Sequence, residues 1–170
     1  STEVLGSAEA GIKVILYKVN AIDPTDVEML NEYYFETMHH EFAHILHQKK
    51  NYPTEYNQIS AADYSSTGWQ NRTEQQAWKL GFVTPYAGME PQEDFVEVIA
   101  NYLVKPDGFW ENMLANAGTE GATKIQTKFD MVKEWLMTAW NIDIDELRTI
   151  IIRRSGDIDS IFYEKIAYNE

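Results

Sequence analysis

The sequence predicts an α+β fold, mostly helical, in one domain over residues 1–170. Three observations carry that reading: one early segment rich in β-branched and aromatic residues, a series of later stretches with apolar side chains at helical spacing, and no internal repeat, low-complexity tract or linker to divide the chain. At 170 residues with 44% apolar side chains the chain is long enough to bury a core, and it shows none of the apolar depletion that marks disorder.

The early segment, Gly11-Ile-Lys-Val-Ile-Leu-Tyr-Lys-Val-Asn20, alternates in part and reads as a strand, which Ala21-Ile-Asp-Pro-Thr-Asp26 then breaks. From about Tyr33 to Lys49 the side chains Tyr34, Met38, Phe42 and Ile45 recur at helical spacing, with Phe35 and Leu46 widening the stripe, so a helix is expected with this stripe as its core face. Residues 51–73 are polar and turn-rich, an irregular excursion of a length that tends to carry function, and a short helix follows from Glu74 to Leu80. Pro91 at a first helical turn, then Phe95, Ile99, Tyr102 and Leu103, predict a second long helix to about Val104, ended by Lys105-Pro-Asp-Gly108. Helices around Trp110 to Ala115, Ala122 to Trp140 and Ile144 to about Ile166 complete a helical scaffold, separated by Gly118 and Gly121 and by Asn141-Ile-Asp-Ile-Asp145.

Acids outnumber bases 27 to 14, a formal net charge of −13, which is the wrong sign for nucleic acid and for anionic membrane surfaces. With no cysteine, disulfides, thiolate catalysis, cysteine-ligated zinc and iron–sulfur clusters are excluded, and any metal must use His, Asp or Glu. No apolar run approaches the ~20 residues of a membrane span. Ser1-Thr-Glu-Val-Leu-Gly6 lacks the basic start and apolar core of a secretory signal, and a start without Met is what a mature or trimmed chain is expected to have.

All four histidines fall within nine positions, His39-His-Glu-Phe-Ala-His-Ile-Leu-His47, and these contain HExxH as His40, Glu41 and His44. On a helix, residues four apart lie ~40° apart around the axis and one turn along it, so two imidazoles can grip one ion. Glu41, adjacent but off that axis, can reach water at the metal. In a chain of this composition an accidental HExxH is expected on the order of once in a hundred. The helix wheel sets His40, His44 and His47 opposite the apolar stripe, as an exposed histidine face. His47 lies ~10 Å along the axis from His40, too far to share its ion, and is expected to line the cleft or support a ligand; His39 is expected to pack or hydrogen-bond.

Catalytic zinc takes three protein ligands and one open position, so a third ligand must come from elsewhere. The HExxHxxGxxH extension fails, because position 47 is His and position 50 is Lys. The best remaining source is Glu93-Asp-Phe-Val-Glu97, whose two glutamates share a helix side opposite Phe95, Ile99, Tyr102 and Leu103; one can bind metal while the other orients a histidine ring.

ExxxE after HExxH resembles the gluzincin metallopeptidases, and the long gap from His44 to Glu93 with Tyr86-Ala87 ahead of the acid is more similar to the anthrax lethal factor catalytic domain than to thermolysin. Closer still, His39-His-Glu-Phe-Ala-His-Ile-Leu-His-Gln48, Gly81-Phe-Val-Thr-Pro-Tyr-Ala87 and Glu93-Asp-Phe-Val-Glu97 resemble the zinc metallopeptidase lipoproteins of Bacteroidetes associated with TonB-dependent import. From about Gly11 onward the resemblance covers most of the chain. It implies a zincin-like fold with zinc (Zn2+) on His40, His44 and Glu93, Glu41 as general base, Tyr86 as an electrophilic helper and Glu97 as the support of a ligand histidine. It also implies hydrolysis of a peptide or peptide-like substrate, and a place as the C-terminal part of an outer-membrane lipoprotein, on the periplasmic or cell-surface side, whose lipid anchor is not in these residues. The rival expectation is a catalytically silent accessory protein that keeps the zinc site and holds a peptide or glycan during import. Trp69, Trp78 and Tyr86 are the candidate aromatic contacts of the cleft, with core packing the competing role for either Trp.

Overall fold

The computed structural model describes residues 4–23 and 25–167, with side chains through 156; Ser1–Glu3, read above for a targeting signal, lie outside them. A two-stranded antiparallel hairpin, β1 (Gly6–Glu9) and β2 (Lys13–Leu16), precedes an all-helical remainder. β1 was not legible in the sequence, because Gly-Ser-Ala-Glu has no strand propensity, and the predicted strand at 11–20 shrinks to β2. The pairing is closed by a turn that holds Ala10 at φ 51° and Gly11 at φ 64°. Gln48 docks that turn on the helix behind it, its Oε1 accepting from the Gly11 backbone N–H at 2.6 Å.

A single helical run then passes from α1 (Val27–Met29), capped by Asp26, through a π-helical stretch (Leu30–Phe35) into α2 (Glu36–Lys49). α2 packs on α4 (Pro91–Val104), the centre of the molecule, in which ten of fourteen residues are buried. α3 (Glu74–Leu80) starts at a capping box, Thr73 with Gln76, and stops at Gly81, whose φ of 89° closes the helix. α5 (Phe109–Asn116) and α6 (Gly118–Trp140) cover α3 and α4; α6 ends at Asn141 in the left-handed conformation, with the Ile142 N–H returning to the Leu136 carbonyl. α7 (Ile144–Ala167) closes on α4, where Tyr102 donates to Asp145. Gly121, expected between helices, lies inside α6: a Cβ there would stand 2.3 Å from the Trp78 carbonyl, so a glycine lets α6 rest on α3.

The expected core face of α2 is the wrong one. Phe42 is 51% exposed, whereas His40, Ala43, His44, Leu46 and His47 are buried against α4. Positions 40, 43, 44 and 47 also follow helical spacing, and small Ala43 lets the two helices approach; polar side chains can fill that face because α4 supplies their partners.

Behind the N-terminus of α4, Lys128 and Asp94 form an ion pair with neither side chain exposed, 2.6 Å apart. Lys128 also donates to the Gly81 carbonyl at 2.7 Å, and Tyr64 donates to Asp94 at 2.6 Å, so α6, the end of α3 and the 51–73 excursion all converge on the residue beside Glu93. Removing one partner of such a pair strands the other charge. Lys128→Met is therefore expected to lower stability by ~3–5 kcal/mol. Urea unfolding of the metal-free protein measures it, and an unchanged midpoint would contradict the pairing.

Candidate metal centre

α2 and α4 bring the site together. One turn of α2 separates His40 from His44, and their Nε2 atoms stand 3.2 Å apart. Glu93, in the first turn of α4 set by Pro91, brings its Oε2 to 3.1 Å from His40 Nε2 and 3.4 Å from His44 Nε2. Ligand atoms of His40, His44 and Glu93 all fall within 4.8 Å of one another. Glu93 Oε2 is fully buried, yet it makes no hydrogen bond of acceptable geometry. A buried carboxylate oxygen without a hydrogen bond, converging with two imidazole nitrogens on one point, is what a cation at that point would satisfy.

Each imidazole is turned by its other nitrogen. His40 Nδ1 lies 2.7 Å from Glu97 Oε1, and His44 Nδ1 lies 2.8 Å from His47 Nε2. Burial, with the charge of His44, pulls His47 down to about 4, so its ring is neutral and can accept from a His44 Nδ1–H. Glu97 is itself held by Thr84, which donates to its Oε2 at 2.5 Å, and by Asn101 from the next turn of α4. With both Nδ1 atoms acting as donors, both Nε2 lone pairs face Glu93. Without a cation, burial pulls His40 down but the neighbouring carboxylates of Glu93 and Glu97 raise it to about 10; burial raises Glu93, and His40 and His44 more than offset this to hold it below the ordinary carboxylate range.

Glu41 sits on the open side of this cluster. It is 7% exposed, and no group hydrogen-bonds its carboxylate among the described residues. Burial raises it above the ordinary carboxylate value, against the lowering charges of His40 and His44. Tyr86 comes from the 3-10 turn Tyr86–Gly88, where Thr84 Oγ1 accepts from the Ala87 N–H, so one threonine holds both this turn and Glu97. Its ring stands 5.9 Å from that of His40 and 5.0 Å, edge-on, from that of Trp69. Burial, with the charge of Glu93, keeps the Tyr86 hydroxyl well above its ordinary value, so it remains a protonated donor.

A cavity of about 650 Å³ opens beside Glu41, bounded by Leu5 and Gly6 of the hairpin, Tyr33 and Thr37 of the helical run, and Trp69, Tyr86 and Met89 opposite. A smaller one, of about 290 Å³, continues past Glu93 along Gly6, Ser7 and Ala8. The Tyr17 N–H donates to the Leu5 carbonyl, so by antiparallel alternation the backbone groups of Gly6 and Ala8 point away from β2; the Ala8 carbonyl accepts from Gln48 Nε2 of α2 at 3.5 Å. Trp78 is not at the cleft: it is buried, and its Nε1 donates to the Val83 carbonyl. His39 packs with no side-chain hydrogen bond among the described residues and is pulled down to about 4 by burial.

The residues that sequence reasoning missed are Thr84 and Asn101, which position Glu97, and β1. Thr84 lay inside the quoted Gly81-Phe-Val-Thr-Pro-Tyr-Ala87 motif, whose spacing ahead of Tyr86 was the available signal; nothing in the sequence marks Gly-Ser-Ala-Glu as a strand.

Over residues 1–145 the chain matches the family model described as "Putative zinc-binding metallo-peptidase". A solved structure, that of a "putative zinc-binding metallo-peptidase" from Bacteroides caccae, is similar at 52% sequence identity with a TM-score of 0.82 over 92% of this chain. The chain spans 60% of the length of that relative. No curated protein matches it.

Proposed function

The chain belongs to the zinc-binding metallo-peptidase family, and from that premise we propose that it hydrolyses peptide bonds, with His40, His44 and Glu93 holding zinc and Glu41 serving as general base. The observation that carries the reading is the unsatisfied, buried Glu93 Oε2 facing two Nε2 atoms, a donor set of two imidazoles and one carboxylate that suits zinc. When bound there, zinc supplies Lewis-acid polarisation of a carbonyl and brings the ionisation of water near neutral pH.

The remaining steps belong to the chain's own groups. Glu41, without a hydrogen-bond partner and set beside the ligands, takes a proton from the attacking water and passes it to the leaving amine. Tyr86 donates from its hydroxyl to the oxygen on which negative charge develops. The edge of β1 lines the smaller cavity through Gly6, Ser7 and Ala8, and a strand edge beside the cluster suits a substrate lying extended along it, as a peptide does. Glu97 and His47 keep the two imidazoles turned, with Thr84 behind Glu97. The proposed setting, an outer-membrane lipid anchor beside TonB-dependent import, rests on the motif resemblance and concerns the whole protein.

Incubating the purified protein with a mixed peptide library, with and without a chelator and with zinc restored, tests the reading. Chelator-sensitive cleavage is expected; stoichiometric zinc without cleavage of any peptide would favour the silent binder. Two variants probe the supports. Glu97→Ala is expected to weaken zinc affinity ~10–100-fold by releasing the His40 ring. If Glu97 proves essential and Glu93 dispensable in metal titrations, their roles are reversed. Tyr86→Phe keeps the ring and deletes only the donor, so kcat should fall on the order of 10²-fold while zinc content and the thermal melt are retained. An unchanged kcat would leave Tyr86 a packing residue.

A further inference from the structure

Among the described residues no hydrogen bond or ion pair holds the Glu41 carboxylate, so its position is set by packing. The nearest wall is the backbone of β1. A Cβ built on Gly6 would stand 2.6 Å from Glu41 Cγ, 2.7 Å from its Oε1 and 2.9 Å from Thr37 Cγ2. Carbon atoms in contact need about 3.5–4.0 Å, so no side chain fits at position 6 while Glu41 keeps this conformation. The requirement is space rather than backbone conformation, since Gly6 is not among the glycines at positive φ. Glycine inside a strand costs stability and marks a close approach to another group, and here that group is the carboxylate beside the metal ligands.

We propose that Gly6 is a positioning residue for the base: the bare Cα of β1 wedges the stem of Glu41 so that its carboxylate faces the open side of the His40, His44 and Glu93 cluster. The proposal rests on the reading of Glu41 as general base. A side chain at position 6 must displace either the hairpin or Glu41 together with the Thr37 methyl, and the hairpin is tied to α2 at its far end through the Gly11 N–H and Gln48. The side chains are therefore the groups that give, Glu41 furthest because its contacts are the shortest. A displacement on the order of 1 Å at a reacting group is enough to cost ~10²-fold in rate.

Two measurements on the full chain test this, one of them independent of activity. In the first, thermal unfolding of the zinc-free protein is compared for the wild type, Gly6→Ala, Glu41→Ala and the double variant. Because Glu41→Ala removes the Cγ and Oε1 that the new methyl would meet, the melting-temperature loss caused by Gly6→Ala should shrink by about half or more in the Glu41→Ala background. In the second, zinc-loaded Gly6→Ala is assayed on a peptide that the wild type cleaves. Its kcat should fall ~10²-fold, with KM and zinc content within about twofold of wild type. Additive melting effects, or an unchanged kcat, would overturn the proposal, as would a loss confined to KM or to zinc content. If Gly6→Ala does not fold but the double variant does, the coupling is shown in its strongest form. If the wild type cleaves no peptide, the hydrolytic reading fails, whereas the melting cycle still decides whether Gly6 and Glu41 contest the same space.

Discussion

Glu41→Gln is expected to reduce peptide cleavage by at least the ~10²–10⁴-fold assigned to general acid–base catalysis, with zinc content at the wild-type level. The substitution keeps shape and volume, so the close contact with Gly6 is preserved, and what disappears is the ability to take and return a proton. Glu41 accepts no hydrogen bond and pairs with no cation among the described residues, so the change leaves no charge stranded and the fold should be unaffected. That separates the base from the ligands in a single experiment: activity lost, metal retained, melt unchanged. Steady-state kinetics and metal analysis on the same preparation read it out. An active Glu41→Gln protein would contradict the proposed mechanism.

His44→Ala should abolish tight zinc binding, the second large effect. His44 is at once a proposed ligand through Nε2 and, through Nδ1, the partner of His47, so its removal deletes one of three donors and releases a second ring. Zinc that binds only the folded chain stabilises it by about 2.7 kcal/mol at a hundredfold excess over Kd, and this increment should vanish in the variant. Competition with a chromophoric chelator, beside melts with and without zinc, measures both effects. Stoichiometric, tightly held zinc in His40→Ala and Glu93→Ala as well would remove these residues from the metal site.

Much of the helical frame was legible in the sequence. α3 was expected from Glu74 to Leu80 and stands there, α4 was bounded by Pro91 and Lys105-Pro106, and α6 was stopped by Asn141, because such signals act through backbone conformation within a few residues of where they stand. The pairing of His40 with His44 and of Glu93 with Glu97 was legible for the same reason: spacing of four on a helix is local geometry. The hairpin was less so. β1 has no propensity of its own and exists because β2 and α2 flank it, which is a contact between segments far apart in the chain.

The sequence by itself determined the ligand types, their spacing and the two helices that carry them, since each follows from helical periodicity and the chemistry of imidazole and carboxylate. Only the tertiary structure decided which face of α2 is buried. Two stripes on that helix obey the same period, and periodicity carries no information about which one meets α4; the histidine face wins because Glu93 and Glu97 can satisfy it and small Ala43 admits close packing, leaving Phe42 outside. The residues alone left open which acid meets the two histidines; the tertiary structure places Glu93 Oε2 beside both Nε2 atoms and Glu97 behind His40 with Thr84, the order that the family resemblance implied. Residues four apart on one helix share its side, but they lie one turn apart along the axis, and only the height at which α4 crosses α2 sets which of the two meets the histidines.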